Sequence, residues 1–212
     1  MASPRQVIQN FIEDTYKIKL PMFGDYTTFG IRGAIPDKDG DILPTKNEFN
    51  KYDDTIGWLT PTERYMTQGT VEPGKKYTDK PMNTNGVFYL KNGLYVMVRA
   101  DHFKMSAFNI SYKYPKEGTP LEGYRDTLRL GKNPFDVDPK AEIYRDATGI
   151  DTHAGGENPD NIDGWSAGCQ VILGGWKSKA WLDYKEPLYK SKQLKFLYCL
   201  LNYSDIAKAL EA

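Results

Sequence analysis

The apolar residues of this chain come in short runs with turn signals between them, and that spacing restricts it to a fold built mainly of brief strands. Val87-Phe88-Tyr89-Leu90 is separated from Leu94-Tyr95-Val96-Met97-Val98 by Lys91-Asn92-Gly93, and Asn-Gly between two such runs predicts a β-hairpin. The run from Leu194 to Leu201 predicts a buried strand, with Cys199 as a structural residue inside it. Further short strands are expected near 106–112, 141–146 and 168–173. Between about 18 and 80 the chain is rich in Gly, Pro, Asp and Thr, so loops and short strands should dominate there. Helical spacing occurs in three places. Ser3-Pro4 offers a cap and a first-turn proline ahead of Val7, Ile8, Phe11, Ile12 and Tyr16, predicting a helix over 5–18. Ala180, Trp181, Tyr184 and Leu188 predict one over 178–189, limited near its end by Pro187. Ser204 can cap a last one from Asp205 to Leu210. The expectation is a mainly β (α+β) chain: an N-terminal helix at 1–20, then one domain at 21–212 without internal repeats.

Composition narrows the partners. At 212 residues the chain suits a single domain with a real core. Lys+Arg and Asp+Glu both number 28, so nothing favours a nucleic acid as principal partner. The N-terminus lacks the apolar run of a secretory signal, and no window reaches the length of a membrane span. Synthesis in the cytoplasm is therefore expected. Fifteen tyrosines and four tryptophans would suit a groove that packs on amide and sugar surfaces, or simply fill a β-rich core. Two cysteines do not make a disulfide framework. Asp37, Asp39, Asp41 and Glu48 fall at positions 1, 3, 5 and 12 of a calcium-loop frame, but Ile42 occupies the place of the sharp-turn glycine. An acidic turn is the better reading. No Cys/His cluster has zinc spacing, so no metal or other cofactor is expected.

One segment carries chemistry. His153-Ala154-Gly155-Gly156 is followed by Trp165-Ser166-Ala167-Gly168-Cys169-Gln170-Val171, which puts one of two histidines sixteen residues before one of two cysteines. A thiol attacks as its thiolate and needs a base beside it. Glycines on both sides let backbone come close to a ligand. The intervening loop carries Asn158-Pro159-Asp160, which is turn chemistry, and could act as a lid.

The order His, a gap in the mid-teens, then Ser-x-Gly-Cys resembles the active-site signature of the L,D-transpeptidase (YkuD-like) catalytic domain. That family acts on the peptide stems of bacterial peptidoglycan. The resemblance implies an L,D-transpeptidase-like β-rich domain with a helix after the catalytic Cys. It makes Cys169 the nucleophile, His153 its base, and the backbone carbonyl of Ala154 the group that orients the imidazole. Backbone N–H groups around Ser166, Gly168 and Cys169 would hold the oxyanion, with Gly155 and Trp165 beside the substrate. Two positions depart from the family pattern: Ala167 stands where a second His is usual, and Val171 where Arg or Asn is usual. The version Trp-Ser-Ala-Gly-Cys-Gln-Val is similar to a branch found in phage and phage-like proteins. Gly30-Ile31-Arg32-Gly33, Thr70-Val71-Glu72-Pro73-Gly74 and Ile143-Tyr144-Arg145-Asp146 fit that branch as well.

The resemblance implies attack on a stem-peptide carbonyl next to a D-amino acid, a thioester acyl-enzyme, and its resolution by water or by a second stem amine. The missing histidine and missing leader favour hydrolysis, as an endopeptidase or L,D-carboxypeptidase, over cross-linking; action on the wall would then follow lysis, particle delivery or leaderless export. His102, the other histidine, is the candidate to supply the donor that Ala167 lacks, the plain alternative being a hydrogen-bonded strand-end residue. Arg145 is the candidate for binding a stem carboxylate, with Arg125 and Arg129 next, and an exposed ion pair as the alternative. The rival from another class is a structural or cell-wall-binding component of a phage-like particle that kept the fold without turnover. A papain-like or NlpC-type peptidase places its Cys before its His, which is the reverse of the order here.

Overall fold

The computed structural model describes residues 3–126 and 142–211. Its strands are β1 (Thr27–Arg32), β2 (Ala34–Pro36), β3 (Ile42–Pro44), β4 (Asp54–Leu59), β5 (Arg64–Thr70), β6 (Val87–Leu90), β7 (Gly93–His102), β8 (Met105–Lys113), β9 (Gly123–Asp126), β10 (Asp151–Ala154), β11 (Gln170–Ile172) and β12 (Lys195–Asn202). The helices are α1 (Pro4–Tyr16), α2 (Lys75–Asp79), α3 (Lys179–Lys190) and α4 (Ala207–Glu211). Eight strands close into a barrel in the order β1-β12-β7-β8-β10-β11-β5-β4. All neighbours are antiparallel except β1 with β12 and β10 with β11. No described helix is long and apolar enough to cross a membrane.

Alternation along the strands divides the apolar residues into two main clusters. From β12, Phe196, Tyr198 and Leu200 join Tyr95, Met97, Phe108, Ile110, Ala154 and Ile172 in the barrel interior. Helix α3 adds Trp181, Tyr184 and Leu188 to that cluster. Leu197, Cys199 and Leu201 point the other way, to Phe29, Ile31 and the buried face of α1 at Val7, Ile8 and Ile12. Both helices begin on a serine: Ser3 Oγ accepts from Gln6 N–H at 3.3 Å, and Ser178 Oγ from Trp181 N–H at 3.1 Å. Pro187 lies inside α3, and Ser191 N–H donates to its carbonyl at 3.0 Å.

Three expectations are corrected. The hairpin joining the runs before and after Lys91-Asn92-Gly93 does not form: β6 pairs with β9, while β7 enters the barrel. The Arg32 guanidinium holds the Asn92 side chain and the Leu90 carbonyl, so the turn residues serve a long-range contact. Before residue 80 the chain is loops and short strands, as expected; three of those strands enter the barrel, and every residue of β1 and β4 is buried. Their threonines and glycines are tolerated because barrel pairing satisfies both edges of each strand. Among the described residues 142–146 there is only a single bridge, Tyr144 to Gly123. At the C-terminus the first cap is Asn202, which forms a capping box with Asp205, and not Ser204. Arg129 lies outside the described residues.

Candidate active site

The parallel pair β10–β11 positions the motif residues. Thr152 is opposite Gln170, His153 opposite Val171 and Ala154 opposite Ile172. Since side chains alternate, Thr152, Ala154, Gln170 and Ile172 face the interior, and Asp151, His153, Cys169 and Val171 share the outer face. The pair needs close backbone contact after β10. Gly155 N–H donates to Ile172 O at 2.7 Å, and a Cβ on Gly155 would lie 2.2 Å from Val171 Cγ1.

Cys169 sits at the end of a tight turn. Gly168 has φ +126°, and a Cβ there would come within 2.7 Å of the Phe88 carbonyl oxygen, so both conformation and space demand glycine. Ser166 Oγ ties the turn together: it donates to Cys169 O at 2.8 Å and accepts from Gly168 N–H at 3.1 Å. That engages the Gly168 N–H, one of the donors expected at the oxyanion, and leaves Ser166 as a positioning group. From inside the barrel, Tyr198 OH donates to Gln170 Oε1 at 2.7 Å, and Gln170 Nε2 donates to Gly168 O at 3.2 Å.

The Cys169 sulfur accepts the Asp151 N–H at 3.4 Å and points its own proton at Gly149 O, 3.7 Å away. Burial pushes the thiol up to about 12, against the opposing pull of the Asp151 N–H. His153 is 2% exposed, and burial brings its imidazole down to about 4, helped by nearby His102 and opposed by the bond to Ala154. His153 Nδ1 lies 2.8 Å from Ala154 O. A carbonyl only accepts, so Nδ1 carries the proton and Nε2 holds the lone pair. That Nε2 is buried without a hydrogen-bond partner among the described residues. At neutral pH the pair is therefore thiol and neutral imidazole, and not the ion pair that a base holding the cysteine ionised would produce.

His102 lies on the same face. Its ring stacks on His153 with centroids 4.2 Å apart and planes 10° from parallel, and Trp176 flanks both rings, 5.9 Å from His153 and 6.4 Å from His102. His102 Nδ1 donates to Asp151 Oδ2 at 2.8 Å, and Asn109 Nδ2 donates to the other carboxylate oxygen at 2.8 Å. Asp151 and Trp176 escaped the sequence reading. For Asp151 a signal existed, because a residue two before a strand histidine shares its face. Trp176 carries no such signal.

The remaining sequence candidates are dispersed. Trp165 is 45% exposed with its indole packed over Gly156, whose N–H donates to Tyr52 OH at 3.1 Å. Arg145 is exposed and gives two hydrogen bonds to Glu122 Oε1 at 2.7 and 3.1 Å, which is the surface ion pair. Arg125 is buried instead, and lines a cavity beside Ala167. The loop between base and nucleophile is fastened, which argues against a lid. Tyr52 N–H donates to Pro159 O at 2.9 Å, and Asn50 Oδ1 accepts from Asp163 N–H at 2.8 Å. In the acidic turn, Asp37 Oδ1 is used on the backbone N–H groups of Asp39 and Asp41 at 2.8 and 2.9 Å. Compared with protein-family models, with curated proteins and with solved structures, the chain matches none.

Proposed function

We propose that this chain is a cysteine-dependent enzyme of peptidoglycan stem peptides, with an L,D-transpeptidase-like catalytic domain and a thioester acyl-enzyme. The observation that carries the reading is the orientation of His153. Its Nδ1–H is committed to Ala154 O, its Nε2 has no hydrogen-bond partner among the described residues, and the side chain is on the strand face that bears Cys169. A neutral pair is suited to concerted transfer: Nε2 takes the thiol proton as sulfur attacks the carbonyl, so no buried thiolate accumulates beforehand. The same imidazolium then gives its proton to the departing amine. With Gly168 N–H engaged, Cys169 N–H is the donor proposed for the oxyanion.

His102 is assigned a supporting role. Fixed by Asp151 and stacked on His153, it disfavours a proton on His153 in the resting state and is placed to relay one during turnover. Water is favoured over a second stem amine as the resolving nucleophile, which makes the enzyme a hydrolase before a cross-linker, delivered to the wall by a phage-like particle or by lysis.

Muropeptides incubated with the protein and analysed by mass spectrometry test the proposal. Shortened stems are expected with the native chain and none with Cys169→Ala. A carbapenem should add its mass to the peptide containing Cys169 and to no other. Cross-linked products without shortened stems would replace hydrolysis by transpeptidation. Turnover retained in Cys169→Ala would remove the nucleophile assignment altogether.

A further inference from the structure

Two sequence segments that the proposed chemistry leaves unused, Gly30-Ile31-Arg32-Gly33 and Thr70-Val71-Glu72-Pro73-Gly74, meet inside the fold. Arg32 ends β1 with its side chain 8% exposed, and Glu72, just past β5, has its side chain 9% exposed. Arg32 Nε donates to Glu72 Oε1, Nη1 to Asn92 Oδ1 and Nη2 to Leu90 O. A planar guanidinium suits three fixed acceptors, where the point charge of a lysine does not. Taking two charges out of water is costly, and a packed apolar pair of similar size would hold a barrel together as well or better. The pair therefore needs a reason beyond stability.

That reason lies in where the two arms of Arg32 lead. Gly74, two residues after Glu72, donates its N–H to Ser166 O at 2.9 Å, and a Cβ on Gly74 would lie 2.2 Å from Asp163 O. Phe88, two residues before Leu90, bears the carbonyl oxygen that a Cβ on Gly168 would meet at 2.7 Å. The Glu72 arm is anchored as well. Glu72 N–H donates to Thr70 Oγ1 at 3.0 Å, the Thr70 hydroxyl donates back to Glu72 O at 3.2 Å, and Thr70 is opposite Val171 of β11. One guanidinium thus ties the segment that holds Ser166 to the strand that Gly168 abuts.

We propose that Arg32 is a positioning residue: through Glu72 and Leu90 it clamps the two backbone segments that flank the Cys169 turn, and so fixes the sulfur and the Cys169 N–H. Arg32 touches no substrate. Its effect on turnover rests on the thioester reading above; its effect on the turn does not, so the two can fail separately.

The test reads the turn through its thiol, with the second cysteine as internal control. Native protein, Arg32→Lys and Glu72→Gln are alkylated with iodoacetamide between pH 7 and 10, and the two cysteines are followed separately by peptide mapping. Arg32→Lys keeps the charge and loses the fork. Glu72→Gln keeps the shape, and Asp54 can ionise near Arg32 in place of the lost carboxylate; burial holds the Asp54 carboxyl well above the usual range, with Asp53 and Glu72 adding to it. In both variants a slackened turn admits water to the Cys169 sulfur, and relief from burial makes the thiolate easier to form, so alkylation of Cys169 at pH 8 should rise about tenfold or more. Cys199, buried against α1, should stay as unreactive as in the native chain. On muropeptides, kcat should fall about a hundredfold or more with KM unchanged. If Arg32→Lys does not fold, Glu72→Gln decides alone. Both cysteines rising together, neither rising, or a native kcat in the variants would each overturn the clamp and leave the pair a structural role. A rise confined to Cys169 supports the clamp even if the native chain turns over no muropeptide, a result that would count against the stem-peptide reading alone.

Discussion

His153 and Cys169 both depart from their ordinary titration in the direction that keeps them uncharged, and two measurable consequences follow. The histidine lies at about 4 in the fold and about 6.5 in an unfolded chain. Because the folded value is the lower one, its contribution to stability is complete above pH 6.5 and is lost as pH falls from 6.5 towards 4, by about 3 kcal/mol. Urea titrations between pH 7 and 4 should show that loss in the native chain and a smaller one in His153→Gln; identical slopes would place His153 outside the linkage. The cysteine lies at about 12, so alkylation by iodoacetamide should be slow at pH 7 and still be accelerating at pH 10, where an activated thiolate would long have reached its plateau. His102→Ala should lower turnover by an intermediate factor, about ten- to a thousandfold, and His153→Ala by more. Turnover in His102→Ala matching the native chain would leave the stacked ring with a packing role only. Cys199, fully buried against α1, should behave in the opposite way: Cys199→Ala should lower stability by about 1–2 kcal/mol with turnover per folded molecule unchanged.

Among the elements, the turn that ends on Cys169 is the most constrained. Gly168→Ala combines a backbone conformation hostile to a side chain with a Cβ driven into the Phe88 carbonyl. It should cost about 1–3 kcal/mol of stability and, by displacing the sulfur, a hundredfold or more of turnover, since about 1 Å of misplacement can cost that much. A variant with near-native rates would show that the turn can relax. The motif segment was legible in the sequence because its residues are local: strand alternation and one short loop suffice to put His153 and Cys169 on one face. The helices α1 and α3 were legible for the same reason, each with a serine cap and apolar residues at helical spacing. What was not legible depends on partners far along the chain. Asn92-Gly93 reads as a hairpin turn until Arg32, sixty residues earlier, takes hold of it. Likewise the stretch before residue 80 reads only as loops and short strands, and nothing local singles out Thr27-Thr28-Phe29-Gly30 as the strand whose two edges β4 and β12 cover.

For the whole molecule, α1 is packed as part of the body and not as an appendage, since Val7, Ile8 and Ile12 share a cluster with β1 and β12. Ile8→Ala should therefore lower the stability of the entire chain by about 2–4 kcal/mol, with tryptophan fluorescence and far-ultraviolet dichroism shifting together. Two transitions, only one of them displaced, would mark 1–20 as an independent unit. The closing pair β1–β12 sets a further condition. The hydroxyl of Thr28 donates to the carbonyl of Leu197, 169 residues later, and β12 is also the partner of β7. On the ribosome, β1 and β7 must therefore each wait with one open edge until β12 has emerged. Such a late, long-range closure is slow. A nascent chain stalled before Lys195 should remain protease-sensitive and prone to aggregation, a hazard of synthesis that the finished barrel no longer shows.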